Sequence, residues 1–187
     1  MRVISGQYKG AKLISPRGQV RPTTDLVKGS LFSMLQSKGL IDGAVCLDVF
    51  CGSGALGIEA LSRGASSCVF VDTDSKNVTA NLDKLGISQR VIRADFRQAL
   101  RMIKDTKFDL VFCDPPYKTD FAQDVYRLLC KYGMLSKDGV AVLEHAHDRP
   151  IKTIPTLNII DSRVFGVSAF EIVQGEIKDE SDICGDV

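Results

Sequence analysis

Two short stretches carry the residue types that could do chemistry. Asp114-Pro115-Pro116-Tyr117 follows an apolar run, Phe108 to Cys113, that reads as a buried strand, and Asp48-Val49-Phe50-Cys51-Gly52-Ser53-Gly54-Ala55-Leu56-Gly57 lies about sixty residues upstream. An exocyclic amine on a nucleobase is a poor nucleophile, because its lone pair is delocalised into the ring. A protein can align that amine with an electrophilic methyl group and accept hydrogen bonds from both N–H groups, which favours the localised lone pair of the transition state. The Asp114 carboxylate and the Pro115 carbonyl are suitable acceptors. Two consecutive prolines fix φ at two positions and stiffen the loop that carries them. Tyr117 offers a ring for a base to stack on. No strong base is required, since the amine becomes acidic once alkylated; Asp114 could take the proton or pass it to water. A rigid surface turn is the alternative, but the tetrapeptide follows a strand, at the end where open α/β sheets bind ligands.

Gly52-Ser53-Gly54-Ala55-Leu56-Gly57 matches the spacing of a dinucleotide-binding turn, where glycine permits a tight turn and close approach of the backbone to a ligand. Asp72 ends the next predicted strand, where a carboxylate can take both ribose hydroxyls. These two features fit a nicotinamide dehydrogenase and an S-adenosylmethionine enzyme equally. Asp48 separates them: beside a diphosphate it would repel, and beside the cationic methionine end of S-adenosylmethionine it is favourable. Asp95, after the third predicted strand, could accept from the adenine amine, with Phe96 packed on the ring; Asp95 also suits a helix N-cap. The bland reading of Asp48 and Asp72 is solvation at strand ends. His145 and His147, with Asp148 nearby, read as loop residues on the rim of the site.

These residues need elements to hold them. From Ala44 the pattern alternates: strand at 45–47, helix at 55–63, strand at 68–71, helix at 75–85, strand at 90–92, helix at 97–104, strand at 108–113, helix at 121–132 and strand at 139–143. Continuous Val/Ile/Leu strands alternating with helices imply a parallel sheet covered on both faces. Two further strands, 157–164 and 168–174, form a terminal hairpin around Phe165-Gly166-Val167. Before Ala44, residues 2–5 and 10–14 suggest a small hairpin, Pro16, Gly18 and Pro22 break structure, and Val27, Leu31, Met34 and Leu35 recur at helical spacing after a Thr24 cap.

The chain has 187 residues, 44% of them hydrophobic and 25% charged, with net charge +1, values ordinary for one soluble domain. No apolar run is long enough for a membrane span, and Met1-Arg2-Val3-Ile4-Ser5-Gly6 lacks a signal-peptide core. The six cysteines show no CxxC pair and no histidine at zinc spacing; reduced core thiols in a cytoplasmic protein are expected, with no metal. The charge is uneven. Arg2, Lys9, Lys12, Arg17, Arg21, Lys28 and Lys38 face only Asp25 in the first forty residues, and the chain ends in an acidic stretch. A basic arm suggests a polyanionic partner, and Arg17, Arg21 and Lys28 are the expected phosphate contacts. The domain division is then 1–40 as a basic RNA-binding extension, 41–175 as the catalytic domain and 176–187 as a mobile acidic tail.

With these motifs in place, residues 1 to 174 resemble the bacterial small-subunit ribosomal RNA guanine-N2 methyltransferase family, RsmD. The resemblance rests on Met1-Arg2-Val3-Ile4-Ser5-Gly6, Tyr8-Lys9-Gly10, Arg21-Pro22-Thr23-Thr24-Asp25 and Leu31-Phe32-Ser33-Met34-Leu35. It continues through the glycine element, Glu59-Ala60-Leu61-Ser62-Arg63-Gly64-Ala65, Asp114-Pro115-Pro116-Tyr117 and Glu144-His145. It implies an α/β class I methyltransferase fold, Rossmann-like, with a seven-stranded, mostly parallel sheet, a C-terminal antiparallel hairpin and a small N-terminal extension. It also implies S-adenosylmethionine as donor and one guanine of small-subunit RNA as acceptor, in RNA already carrying some ribosomal proteins. The family usually has Glu where this chain has Asp72, and Ala where it has Cys51. Asp48, Gly52, Gly54, Asp72, Asp95 and Phe96 are then the cofactor residues, and Asp114, Pro115 and Tyr117 the catalytic ones. A DNA adenine-N6 methyltransferase shares Asp-Pro-Pro-Tyr but usually needs a target-recognition domain, for which there is no room. An NAD-dependent oxidoreductase leaves Asp48 and Asp-Pro-Pro-Tyr unexplained, and a non-catalytic RNA binder leaves the intact site unexplained.

Overall fold

A computed structural model of the protein describes residues 1–15, 25–116, 119–152 and 157–175, without the side chain of Leu157. Arg17, Arg21, Thr24, Tyr117 and the acidic tail lie outside the described residues. The elements in chain order are α1 (Asp25–Ser37), β1 (Val45–Val49), α2 (Ala55–Ser62), β2 (Ser67–Asp72), α3 (Lys76–Leu85), β3 (Val91–Arg93), α4 (Phe96–Met102), β4 (Phe108–Cys113), α5 (Phe121–Lys131), β5 (Leu135–Ala146), β6 (Leu157–Phe165) and β7 (Ser168–Gly175).

The strands form one seven-stranded sheet in the order β3-β2-β1-β4-β5-β7-β6. β1 to β5 run parallel, and β7 pairs antiparallel with both β5 and β6. This is the fold expected from the resemblance. The chain leaves β1 to one side for β2 and β3, then crosses back to place β4 on the other side. The crevice between the carboxyl ends of β1 and β4 is therefore the topological switch point, where such sheets bind ligands.

β5 is longer than its apolar core suggests. Lys137 and Asp138 hide its first half, and its last residues, Glu144 to Ala146, gain an antiparallel partner in β7. The expected N-terminal hairpin reduces to one bridge, Arg2 with Lys12, flanked by Val3 N–H to Ala11 O (3.0 Å) and Leu13 N–H to Met1 O (3.1 Å). Strands do not develop because the Ile4, Ser5, Gln7, Tyr8 and Ile14 N–H groups are spent on helices α2 and α3.

Side chains alternate across the sheet, and the two faces bury separate clusters. Cys46, Phe70, Leu110, Phe112, Val142 and Phe170 pack with Val3, Leu13, α1, α2 and α3. Leu47, Val49, Val71, Val111, Leu143 and Val173 pack with α4 and α5. Residues 1–15 and α1 thus share the core of the first face rather than standing apart from it. Among the described residues no helix is long and apolar enough to cross a membrane.

Candidate active site at the carboxyl ends of β1 and β4

The alternation that buries Cys46, Phe70, Phe112 and Val142 on one face also sends Asp48, Asp72, Asp114 and Glu144 to that face, each at the carboxyl end of its strand. Parallel register brings Asp72, Asp114 and Glu144 level, with Asp48 one step back along the same face, opposite Phe70 and Phe112. Val49 is opposite Cys113, and Cys113 is opposite Leu143. The Asp114 N–H reaches Val49 O at 3.4 Å, so the Asp-Pro-Pro segment begins directly beside the turn that leaves β1.

Asp48 is 1% exposed, and its Oδ2 accepts from the Gly57 N–H in the first turn of α2 at 2.9 Å. Strand-end solvation does not describe it. Burial pushes its carboxyl up to about 7, against the Gly57 hydrogen bond, with the Asp72 charge adding to the rise. A buried acid in that state favours a cationic neighbour.

The glycines of the turn serve different ends. Gly52 has φ +53° and open space where a Cβ would stand; its N–H donates to Asp72 Oδ2 at 2.8 Å. Gly54, with φ +76°, leaves no room for a Cβ, which would lie 2.7 Å from Val78 Cγ2, and at Gly57 it would lie 2.4 Å from the Phe70 ring. Internal packing therefore accounts for these two, and Gly52 alone presents a backbone open to a ligand. Asp72 is half-buried and also accepts from the Asp74 N–H at 2.9 Å. It braces the turn and keeps lone pairs for further donors.

Asp95 caps α4, accepting from the Arg97 N–H at 2.9 Å, and its side chain is exposed. Phe96 departs from expectation. Its ring is 2% exposed, packed on Phe50 and Phe121 at 5.1 and 5.2 Å between centroids, with the Arg97 guanidinium 4.2 Å from its centre. Almost no surface is left for an adenine, so Phe96 is a core residue. Phe50 is the aromatic residue of this trio that sequence reasoning missed. It is half-buried in the left-handed region, φ 62°, and stacks on Phe121 at 5.9 Å. A non-glycine residue held there costs on the order of 1 kcal/mol and marks functional turns. Its only sequence signal was a bulky residue just ahead of the glycines.

Asp114 is half-buried and Pro115 is buried. Burial holds the Asp114 carboxyl well above the usual carboxylate range, and the charge of Glu144, a hydrogen bond with it and the charge of Asp48 push the same way. Glu144 is 2% exposed; an acid at the end of the strand next to β4 was the signal for it. His145, expected on the rim, instead sits inside β5, 9% exposed, with Nδ1 2.8 Å from Ala146 O and Nε2 3.6 Å from Glu171 Oε1. His147 follows in an exposed turn, as expected.

Lys28 is not a phosphate contact. It is fully buried, its Nζ 2.6 Å from Arg2 O and 3.2 Å from Glu59 Oε2. Burial lowers its affinity for the proton, and Glu59 opposes that. Helical spacing places Lys28 on the stripe of Leu31, Phe32 and Leu35, and that stripe faces the core. Glu59 is the other residue missed. It accepts from the Ile4 and Ser5 N–H groups at 2.8 and 3.1 Å and from Arg63 Nε at 2.8 Å. Asn81 and Ser62 continue the attachment: Ile14 N–H reaches Asn81 Oδ1 at 2.7 Å, and Tyr8 N–H reaches Ser62 Oγ at 3.0 Å. Asn81 also donates to Ser53 O in the glycine turn at 2.9 Å.

Residues 1–174 match the family described as conserved hypothetical protein 95. The chain is 35% identical to ribosomal RNA small subunit methyltransferase D of Escherichia coli strain K12, over 97% of this chain and 93% of that one. It is 32% identical to the protein of the same name from Haemophilus influenzae, over 93% of each. The solved structure of the Escherichia coli protein yhhF superposes with a TM-score of 0.83 at 34% identity, covering 95% of this chain and 99% of that one.

Proposed function

The chain belongs to the ribosomal RNA small subunit methyltransferase D family, and from that premise we propose that it methylates the exocyclic N2 amine of one guanine in small-subunit ribosomal RNA, with S-adenosylmethionine as donor. When bound, S-adenosylmethionine supplies an electrophilic methyl group on a positively charged sulfur. The residues present fit such a group. Asp48 is a buried acid without an ion-pair partner among the described residues, raised to about 7 and so receptive to a positive charge. Gly52 leaves its backbone open, and Asp72 is placed for ribose hydroxyls. Asp95 stands exposed at the end of β3 for the adenine amine. A diphosphate would meet Asp48, Asp72 and Asp114 in one crevice, which disfavours a nicotinamide cofactor.

The observation that carries the reading is the juxtaposition of Asp114 and Asp48 at the switch point, joined by the Asp114 N–H to Val49 O contact. It sets an amine acceptor next to a cation site. Asp114 and the Pro115 carbonyl orient the amine, Tyr117 stacks on the base, and Arg17 and Arg21 engage RNA phosphates. The substrate is RNA that already carries ribosomal proteins, in the cytoplasm.

The test is mass mapping of RNA from small subunits of a strain lacking the gene, after incubation with the purified protein and S-adenosylmethionine. One new methyl on a single guanine is expected, with assembled subunits outperforming naked RNA. A methylated adenine, or calorimetry showing NAD binding and no S-adenosylmethionine binding, would overturn the reading.

A further inference from the structure

Asn81 of α3 is fully buried, and its amide is spent on two segments far from it in sequence. Oδ1 accepts from the Ile14 N–H at 2.7 Å, and Nδ2 donates to Ile14 O at 3.0 Å and to Ser53 O at 2.9 Å. Turned over, the amide would aim an oxygen at two carbonyls and a nitrogen at an N–H, so these partners fix its orientation. Ser53 is the middle residue of Gly52-Ser53-Gly54. Its C=O and the Gly54 N–H belong to one peptide unit and point opposite ways across it. Asn81 holds the oxygen, and Cys51 O holds the N–H at 2.6 Å. Without such partners the unit would be loose, since Gly52 and Gly54 stand at φ +53° and +76° on either side of Ser53, and a chain turns cheaply at glycine. Two other side chains brace the turn, Asp72 on the Gly52 N–H and Asp48 on the Gly57 N–H. Both of those acids are assigned to the cofactor. Asn81, with no exposed surface, reaches a ligand only through Ser53.

We propose that Asn81 is a positioning residue for the cofactor site: it sets the Ser53–Gly54 peptide, and with it the open backbone of Gly52, in the conformation that S-adenosylmethionine binds. This rests on the cofactor reading above. Ile14 is the other half of the device. Its N–H and C=O hold both ends of the Asn81 amide, as a neighbouring strand would, and so aim the second Nδ2 hydrogen at Ser53. Met1 reaches the same residue, with the Leu13 N–H on Met1 O at 3.1 Å and Ser53 Oγ 3.7 Å from Met1 Sδ. Residues 1–15 thereby back the cofactor turn as well as leading into the basic segment. Ser53 is 5% exposed, so loss of the Asn81 donor leaves a buried carbonyl that water does not readily satisfy. The peptide then rotates in search of a donor, and the binding conformation becomes one among several. Affinity falls in proportion to the fraction of molecules that still hold it.

Asn81→Leu keeps the volume and removes the amide. Calorimetry with S-adenosylhomocysteine is expected to show affinity lowered at least about tenfold, the scale of one buried carbonyl left without its donor. Turnover at saturating S-adenosylmethionine should stay within about threefold of wild type, since Asn81 touches neither Asp114 nor the base. Saturated turnover that falls as far as affinity overturns the proposal. Ser62→Ala is the comparison for general loosening. It frees the same segment at Ser5 and Tyr8 and leaves Asn81, Ile14 and Ser53 paired, so its affinity is expected within about twofold of wild type. A purely structural Asn81 predicts a lower unfolding midpoint with wild-type affinity, or the same loss of affinity in both variants; either result overturns the proposal. Amide exchange in the unaltered protein needs no variant. A ligand that favours the paired turn also holds Asn81 on Ile14, because coupling is reciprocal. S-adenosylhomocysteine is therefore expected to slow exchange of the Ile14 N–H about tenfold more than that of the Tyr8 N–H on Ser62 Oγ. Equal protection of the two overturns the proposal. If the unaltered protein binds no S-adenosylhomocysteine, the cofactor reading itself falls, and the role of Asn81 with it.

Discussion

Glu59, Asp48 and Glu144 are buried acids and Asp114 a half-buried one, all on the same side of the sheet, and they meet burial in opposite ways. Glu59 is surrounded by donors: Lys28, Arg63 and two backbone N–H groups. Its charge is compensated within the protein, and it joins residues 1–15 and α1 to α2. At the carboxyl ends of β1 and β4, burial raises the Asp48 and Asp114 carboxyls, and neighbouring acids, Asp72 for the first and Glu144 and Asp48 for the second, push the same way. A buried acid with its cations supplied is architecture. A group of buried acids with no cation against Asp48 or Asp114 among the described residues stores unfavourable electrostatics, which a positively charged ligand or a passing proton relieves.

The comparison breaks most visibly at Glu59. Glu59→Ala leaves Lys28 buried without its carboxylate and frees two backbone donors. Removing one partner of a buried pair costs about 3–5 kcal/mol. Urea denaturation should show a loss of that size, and proteolysis should begin within residues 1–15. A loss below about 1 kcal/mol would mean that water reaches Lys28 and that the cluster is not what fastens the N-terminus.

Asp48 predicts a pH effect rather than a structural collapse. Its carboxyl ordinarily titrates at 3.8 and is held at about 7 in the folded protein. The native state therefore binds this proton more tightly than the unfolded chain does, and stability falls as pH rises from about 4 to 7. Realised in full, the difference is worth about 4 kcal/mol. Asp48→Asn should flatten that slope in the ligand-free protein and weaken S-adenosylmethionine binding. A variant with the wild-type slope would place the titration elsewhere.

The sequence made the architecture of the site legible because strand periodicity and parallel order are local signals. The apolar runs located β1 to β4, and an acid at the end of each strand could be assigned before any contact was seen. Asp114 and Asp72 stand where that logic put them. What escaped was long-range. Phe96 follows a strand-end acid, which suggested a ligand contact, but only the fold shows Phe50 and Phe121 closing over it. Lys28 was read from local charge, whereas its place on the Leu31 and Leu35 stripe already put it inside. No local pattern shows that Glu59 lies beneath it, since these two residues are joined only when the N-terminal segment folds back on α2.

Asp72 offers a milder test of the ligand-facing side. Its carboxylate braces Gly52 at 2.8 Å, and the proposed function gives it the ribose hydroxyls as well. Asp72→Ala should weaken S-adenosylhomocysteine binding by about 1–3 kcal/mol, the cost of losing hydrogen bonds to a charged group. Calorimetry giving wild-type affinity would detach Asp72 from the ribose and leave it a loop brace like the acids of the first kind.

The smallest expected effect sharpens the comparison most, because it separates Lys28 from the basic residues around it in sequence. In Lys28→Met the long side chain keeps its volume and loses a charge that was costly to bury. Glu59 still has Arg63 Nε at 2.8 Å and the Ile4 and Ser5 N–H groups, so no acid is abandoned; the hydrogen bond to Arg2 O is lost. Replacing a buried ion-pair member by an apolar residue, with its partner otherwise satisfied, is often close to neutral, and a stability change within about 1 kcal/mol is expected. RNA affinity and its dependence on salt should match wild type. Arg17→Glu and Arg21→Glu should each flatten the salt dependence, by about one unit of log–log slope for every phosphate contact removed. If Lys28→Met instead weakens RNA binding and flattens the slope while S-adenosylhomocysteine still binds, then Lys28 leaves Glu59 when RNA arrives. The buried cluster would then be a latch that RNA opens, and the line between compensated and uncompensated acids would hold only for the protein without RNA.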